Sequence, residues 1–183
     1  MIHQNLKTFS LPKKFRGKNY LFVQYWWIIQ ATLFAMSPQY MYRWRICLLR
    51  FFGAKIGKGV IIRPSVRITY PWKLTIGDYS WVGDHVDLYT LGEIKIGNNA
   101  VVSQKSYLCT GSHDHQSEAF NIYQKPIVIE DEAWVATDVF IAPGVTIGKG
   151  AVIAARSSVY SDMPAGMICM GNPAMPVKPR INK

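Results

Sequence analysis

The first 77 residues of this chain contain no aspartate or glutamate, although they carry thirteen lysines and arginines. The first acidic residue is Asp78, and residues 78–183 hold eight basic and eleven acidic residues, a net charge of −3. The overall charge of +10 therefore belongs to one end of the chain. Such a segment favours an anionic surface, either phospholipid headgroups or phosphate-bearing substrates, or is simply solvated without a partner. No nucleic-acid recognition motif accompanies it, so nucleic acid is not expected as a partner.

Cysteine is also scarce, with only Cys47, Cys109 and Cys169 in 183 residues. Their odd number and wide spacing argue against a disulfide framework and against metal-binding pairs, and indicate a reducing compartment. The basic residues near the N-terminus are not followed by a small-residue cleavage site, so no signal peptide is expected. These features together predict a cytoplasmic location.

An internal repeat of six residues dominates the second half of the chain. From Ile129 to Val159 an aliphatic residue recurs at every sixth position, and similar runs begin at Ile56, Ile76 and Ile96. A period of six matches neither an α-helix nor an amphipathic strand. It matches a prism of short parallel strands, in which three hexads form one coil and each aliphatic residue points inward.

The hexads therefore predict an all-β fold, a left-handed parallel β-helix over residues 55–162, with small residues at its corners. The runs that begin at Ile76 and Ile96 each start two residues later than a strict six-residue count would place them. These additional residues predict bulged turns at residues 70–72 and 92–95. Hexads alone do not separate acyltransferases from nucleotidyltransferase accessory domains or γ-class carbonic anhydrases.

Both ends of the solenoid need caps. Residues 1–54 are predicted to be a basic, aromatic helical region with two helices between residues 20 and 52. The uncharged stretch 20–37 leaves three alternatives: packing on the coils or on a neighbouring subunit, lying in a membrane interface, or spanning the membrane. Residues 163–183 contain four prolines and are predicted to be an extended tail that runs back along the prism, neither helix nor central strand.

The hexads stop between residues 109 and 126, where the sequence predicts a loop inserted into the β-helix. Loops projecting from a rigid scaffold are a common location of functional residues. This loop contains the triplet His113, Asp114 and His115.

Four segments of the chain carry a likeness to a known family. They are residues 48–78, the loop LCTGSHDH from Leu108, the run KPIVIEDEAWV from Lys125, and the tail GNPAMPVKPR from Gly171. On these segments the chain resembles hexapeptide-repeat acyltransferases, and more closely colanic-acid-type exopolysaccharide O-acetyltransferases, and the resemblance as a whole extends over roughly residues 8–180. The resemblance implies acetyl transfer from acetyl-CoA to a sugar hydroxyl of an exopolysaccharide or surface-glycan precursor. It also implies a homotrimer with active sites between neighbouring prisms.

The resemblance assigns the catalytic role to His113, whose neutral imidazole would take the proton of the attacking hydroxyl. His115 is a candidate substrate contact, with a lesser claim to be the base, and Asp114 is a candidate for holding the tautomer of a histidine. His85 and Asp87 fall on the acceptor-binding stretch of the family. His85 departs from the family pattern, which has asparagine there.

The resemblance also implies a cofactor site along the coil edges. Backbone groups at small residues would line the pantetheine arm, while the Thr-Lys-Asp usual after the last coil is replaced by Tyr160-Ser161-Asp162. Lys178 and Arg180 in the tail remain available to bind the nucleotide phosphates. The predicted cofactor-binding residues are Trp134, Ala136, Thr137, Ala155, Lys178 and Arg180.

Two rival functions use the same fold. A γ-class carbonic anhydrase needs three well-separated zinc-binding histidines, whereas only His85, His113 and His115 are available here, so no metal is expected. A non-catalytic trimeric sugar-binding or scaffold protein is the alternative from another class, and the loop histidine and the tail argue against it. The basic N-terminal part adds peripheral membrane contact through residues 1–52, at the inner face of the membrane, as a further expectation.

Overall fold

Short parallel strands wind around a common axis in the computed structural model, which describes residues 4–181. Residues 1–3 and 182–183, which belong to the predicted N-terminal region and tail, lie outside the described residues. The strands, in chain order, are β1 (Lys55–Ile56), β2 (Ile61–Ile62), β3 (Arg67–Ile68), β4 (Leu74–Ile76), β5 (Trp81–Val82), β6 (Asp87–Tyr89), β7 (Ile94–Ile96), β8 (Val101–Val102), β9 (Tyr107–Cys109), β10 (Gly111–His113), β11 (Ile122–Gln124), β12 (Ile127–Ile129), β13 (Trp134–Val135), β14 (Phe140–Ile141), β15 (Thr146–Ile147), β16 (Val152–Ile153), β17 (Ser158–Val159), β18 (Met167–Gly171) and β19 (Ala174–Pro179).

Three sheets form the faces of a prism. The first face holds β1, β4, β7, β12 and β15; the second holds β2, β5, β8, β13, β16, β18 and β19; the third holds β3, β6, β9, β14 and β17. Successive strands move from one face to the next, and strands on one face pair in parallel with the coil above and below. The predicted parallel β-helix is confirmed.

The aliphatic residues of the hexads form the core, as the period predicts. On each face the aliphatic hexad residue of every coil is buried and pairs in register with its equivalent in the next coil, and on the first face Leu74, Ile94 and Ile127 add a second buried stack. Since a buried side chain stacks on a similar side chain at every step, the interior is a continuous apolar column. The three hexad stacks are Ile56, Ile76, Ile96, Ile129 and Ile147; Ile62, Val82, Val102, Val135 and Ile153; and Ile68, Leu88, Leu108, Ile141 and Val159.

Helices cover the N-terminal end of the prism. They are α1 (Tyr20–Ile29), which continues as a π-helical turn (Gln30–Phe34), and α2 (Tyr42–Phe51). Short 3-10 turns occur at Leu6–Thr8 and at Pro71–Lys73, the latter where the first bulged turn is expected. No helix of the described residues 4–181 is long and apolar enough to cross a membrane.

Side chains of the two helices pair with the exposed edge of the first coil. The indole Nε1 of Trp26 donates to the Ile68 carbonyl (2.8 Å), and the Gln30 Oε1 accepts from the Ile68 N–H (2.6 Å). The guanidiniums of Arg45 and Arg50 donate to carbonyls at the ends of β2 and β1. An open strand edge invites pairing with other chains, and these bonds close it. One side of the helical region therefore packs on the coils.

The C-terminal tail differs from the prediction. Strand β18 pairs in parallel with β16 and antiparallel with β19, so it lies inside the sheet of the second face. The expectation that the tail contains no central strand and runs back along the prism is wrong. The physical reason is the position of the prolines: β18 contains none, whereas Pro176 and Pro179 lie in the edge strand β19, where a missing N–H is tolerated.

Two edges of the prism matter for the site. The second edge comprises the turns from the second to the third face, at residues 63–66, 83–86, 103–106, 136–139 and 154–157. The third edge comprises the turns from the third back to the first face, at residues 69–73, 90–93, 110–126 and 142–145. The predicted loop insertion lies on the third edge, where β10 and β11 form an antiparallel hairpin, named here the inserted hairpin.

Candidate active site

His113 ends the first strand of the inserted hairpin, opposite Ile122 of the second. Its Nδ1 lies 2.7 Å from the backbone carbonyl oxygen of Phe120. A carbonyl can only accept, so Nδ1 carries the proton and donates it, and Nε2 keeps its lone pair. This is the tautomer that a general base at Nε2 requires.

Aromatic rings hold the imidazole of His113 in place. The ring of Phe120 stacks on it with a centroid distance of 4.1 Å and an interplanar angle of 9°. The ring of Phe9, from the N-terminal segment, lies 5.8 Å away at 55°. The half-buried imidazole is thereby confined by two rings and one hydrogen bond. Phe9 could not be found from the sequence, because it lies more than a hundred residues from the histidine in the chain. Phe120 lies in the same loop, but its stacking on the imidazole depends on the turn of the hairpin.

An open cavity of about 500 Å³ lies beside the histidine. His115, which is exposed, lines the same cavity, so the structure brings both loop histidines together. Asp114 lines it too, but its carboxylate accepts from the Gln116 N–H (2.9 Å) and shapes the turn. Asp114 therefore does not hold the tautomer of His113, since the Phe120 carbonyl has that position.

The inserted hairpin is anchored by Lys73. The Lys73 ammonium donates to the carbonyls of Phe15 (2.9 Å) and Leu91 and to the Gln124 side chain (3.0 Å). Burial lowers the pKa of Lys73, and the nearby Glu93 acts in the opposite direction. One lysine thus joins the N-terminal segment, the third edge and the hairpin. Nothing in the sequence distinguishes it from other lysines, because its partners come from three distant segments.

The predicted acceptor residues lie away from the inserted hairpin. His85 is an exposed residue of the second edge with a left-handed backbone (φ 57°), and its N–H donates to Ser65. Asp87 lies on the third face, pairs with Arg67 (2.5 Å) and lines a separate cavity of about 450 Å³ with Tyr107. Within one chain the structure does not bring His85 or Asp87 to His113.

The predicted cofactor residues lie on the second face and its edge. Ala136, Thr137 and Ala155 occupy second-edge turns, and the Thr137 hydroxyl donates to the Gln104 carbonyl (3.0 Å). Lys178 is exposed on the edge strand β19. The structure therefore places these residues on one side of the prism, but not in one cavity.

Trp134 and Arg180 share a groove of about 680 Å³ on the second face. The indole of Trp134 donates to Ser103 (3.0 Å), which fixes the orientation of the ring. The Arg180 guanidinium donates to the carbonyls of Glu132 (2.8 Å) and Gly150 (3.1 Å), so it also ties the tail to the coils. The sequence does not predict that Arg180 both lines the groove and attaches the tail to the coils.

The candidate base and the candidate cofactor residues thus occupy different edges of one prism. The third face separates the inserted hairpin on the third edge from the alanines and the threonine on the second. A single chain therefore does not assemble all the predicted groups. Among residues 4–181 no cluster of three or more histidine, cysteine, aspartate or glutamate side chains could hold a metal ion.

Comparison with known proteins decides the family. No protein-family model matches the chain. The chain is 65% identical over 178 residues to an Escherichia coli K12 protein, WcaF, provisionally assigned as a colanic acid biosynthesis acetyltransferase, covering 97% of this chain and 98% of the relative. This chain belongs to the hexapeptide-repeat acetyltransferases.

Two solved hexapeptide-repeat acetyltransferases share the architecture. A maltose O-acetyltransferase of Clostridium difficile 630 superposes with a TM-score of 0.81 at 25% identity, covering 91% of this chain and 95% of that one. An acetyltransferase of Vibrio cholerae in complex with acetyl coenzyme A gives 0.79 at 25% identity, covering 88% of each chain. The chain is accordingly an acyltransferase with the fold of its family.

Proposed function

We propose that this acetyltransferase moves an acetyl group from acetyl-CoA to a sugar hydroxyl of an exopolysaccharide or surface-glycan precursor, with His113 as general base. The observation that carries the proposal is the bond from Nδ1 to the Phe120 carbonyl, which leaves Nε2 able to accept a proton. The colanic acid assignment of the Escherichia coli relative and the acetyl-CoA complex of the Vibrio cholerae enzyme support the substrate classes.

The chemistry needs no acyl-enzyme. The sugar oxygen attacks the thioester carbonyl while its proton passes to Nε2 of His113, and a new C–O bond forms. Collapse of the tetrahedral intermediate breaks the C–S bond, and the imidazolium protonates the departing thiolate of CoA. Because both substrates are held in one cleft, much of the rate comes from their positioning.

The separation of the candidate residues on two edges supports a homotrimer. In this proposal the inserted hairpin of one subunit faces the second edge of the next, so that His113 and His115 meet acetyl-CoA bound by the neighbour. A closed three-fold ring repeats the same heterologous contact three times. The acceptor contacts are His85, Asp87 and His115, and the acetyl-CoA contacts are Trp134, Ala136, Thr137, Ala155, Lys178 and Arg180.

The proposed location is the cytoplasm, at the inner face of the membrane, with peripheral contact through residues 1–52. The absence of any acidic residue before Asp78 supports attraction to an anionic surface. A lipid-linked glycan precursor would be held at that surface.

Free-thiol release from acetyl-CoA, measured with a panel of free and lipid-linked glycans, tests the activity and the base together. His113→Ala and His113→Gln are expected to lower acceptor-dependent release at least about a hundredfold, the usual contribution of a general base. His115→Ala is the matched control in the same cavity and is expected to keep kcat within about tenfold of the wild-type value. Turnover that survives the loss of His113 would overturn its role. Acetyl-CoA binding without turnover on any acceptor would favour a non-catalytic protein.

A further inference from the structure

The two N-terminal helical segments contact each other at two points and have one side turned away from the coils. At one end the Trp44 indole donates to the Leu33 carbonyl (3.0 Å). At the other end the rings of Tyr25 and Phe51 both lie 5.3 Å from the ring of Phe52. The outer face of this pair, called here the outer helical face, is formed by Leu21, Tyr25, Ile28, Leu33, Met36, Trp44 and Phe51.

Each of these side chains is exposed, although each is apolar or aromatic. Leu21 is 77% exposed, Ile28 is 62% and Phe51 is 71%. The inner side of the same helices is already packed, since Trp26 and Leu49 are fully buried against the coils. Residues 21, 25 and 28 follow the i, i+4, i+7 spacing of one helical stripe. A grouped exposed apolar surface of this kind marks an interaction site rather than ordinary surface scatter.

Exposed cations without carboxylate partners lie in the same N-terminal region as the outer helical face. Lys13, Lys14, Lys18 and Arg43 are exposed, and none of them is in an ion pair among the described residues 4–181. Lys18 places its ammonium 5.5 Å from the ring of Phe22, so its stem follows the apolar surface while its charge stays at the rim. An apolar face in a region of exposed cations is complementary to an anionic lipid surface.

We propose that the outer helical face docks on an anionic phospholipid bilayer, with its aliphatic and aromatic side chains below the headgroups and the lysines at the phosphates. A second copy of the same face is a poorer occupant, because face-to-face contact would bring the unpaired cations together. In the proposed homotrimer, rotation about the three-fold axis keeps the three faces at one level, so their contacts with one bilayer reinforce each other. This inference rests on the membrane contact of residues 1–52 in the proposed function and deepens it by naming the surface and the lipid that make the contact.

Vesicle co-sedimentation of the full chain tests docking without any turnover. Wild type is expected to bind phosphatidylcholine vesicles containing 30% phosphatidylglycerol at least about tenfold more strongly than pure phosphatidylcholine, and to lose that preference at high salt. Ile28→Ser with Phe51→Ser is expected to weaken binding about tenfold or more, since two apolar groups that would enter the bilayer are lost. Lys14→Gln with Lys18→Gln is expected to weaken it about fivefold per lysine.

Matched controls come from parts of the chain outside the N-terminal region. Ile181→Ser removes a side chain of similar exposure (76%), and Lys105→Gln with Lys149→Gln removes two cations; both are expected to bind vesicles like wild type. Equal losses in these controls, or no binding of wild type to anionic vesicles, would overturn the proposal. So would a change in oligomer mass for Ile28→Ser with Phe51→Ser at unchanged vesicle binding, which would assign the face to a second copy. Because acetyl transfer to a soluble acceptor is assayed separately, failure of docking and failure of the proposed activity are distinguishable.

Discussion

The imidazole of His113 keeps its orientation through neighbours that take no part in proton transfer. The Phe120 carbonyl fixes the tautomer, and the rings of Phe120 and Phe9 restrict rotation of the imidazole. A base that is held in this way loses little freedom when the acceptor hydroxyl arrives. Phe9 is thus a positioning residue, and it acts from a segment that the sequence places in a different region of the chain.

Phe9→Ala is expected to lower kcat roughly tenfold while leaving the KM for acetyl-CoA unchanged, because the imidazole gains motion and the cofactor contacts stay intact. Steady-state kinetics with the best acceptor would measure both values. Leu11→Ala, an exposed position of the same segment, is the control and is expected to leave kcat unchanged. A higher KM at constant kcat would instead make Phe9 a substrate contact.

Among the elements, α2 shows how one buried cation attaches the helical cap to the coils. The Arg45 side chain is fully buried and donates to the carbonyls of Ile62 (2.7 Å), Pro38 (2.9 Å) and Gln39 (2.6 Å), and to the Ser37 hydroxyl (2.8 Å). Burial lowers the pKa of its guanidinium, but an arginine remains protonated at any pH that proteins tolerate. The charge is satisfied by oxygens of the chain rather than by a carboxylate.

Arg45→Met is expected to lower the free energy of unfolding by about 3 kcal/mol, because the buried Ile62 carbonyl loses its donor and the turn at Pro38 and Gln39 loses its link to the coils. Arg43→Met, two residues away on the same helix but exposed, is expected to change it by less than about 0.5 kcal/mol. Urea denaturation followed by circular dichroism would measure both. Similar stabilities for the two variants would mean that water replaces the guanidinium.

The elements also show what a sequence can and cannot predict. The β-helix was predictable because the period of the hexads is a local property, repeated from Ile56 to Val159. The position of β18 was not, since four prolines nearby concealed a proline-free strand. The two histidines of the inserted hairpin were found from the motif. Lys73 and Phe9 were not, because their roles depend on contacts between segments that are distant in the sequence, and Phe120 was not, because its contact with His113 depends on the geometry of the hairpin turn.

At the scale of the whole molecule, the proposed site belongs to two subunits. His113→Ala is expected to inactivate the hairpin side of a site, and Ala155→Trp is expected to obstruct the cofactor side by filling the second edge. Each homotrimer is expected to be inactive. When the two variants are unfolded together and refolded as mixed trimers, about a quarter of the sites combine an intact histidine with an intact edge.

Thiol release by the mixed trimers is therefore expected to recover to about one quarter of the wild-type rate. The control is to refold each variant alone and mix the trimers afterwards, since trimers that do not exchange subunits form no intact site. An inactive mixture of refolded trimers would show that each chain builds its site alone.

The spacing between coils has a consequence for evolution. Ile76 pairs with Ile96 after 20 residues, Ile129 with Ile147 after 18, and Ile96 with Ile129 after 33, yet all five residues of that stack remain in register. The ladder tolerates extra chain wherever a turn leaves the prism, so an edge can gain, lose or exchange a hairpin without disturbing the interior. Selection can thus alter the acceptor specificity of this scaffold by lengthening corners while the apolar column is inherited unchanged.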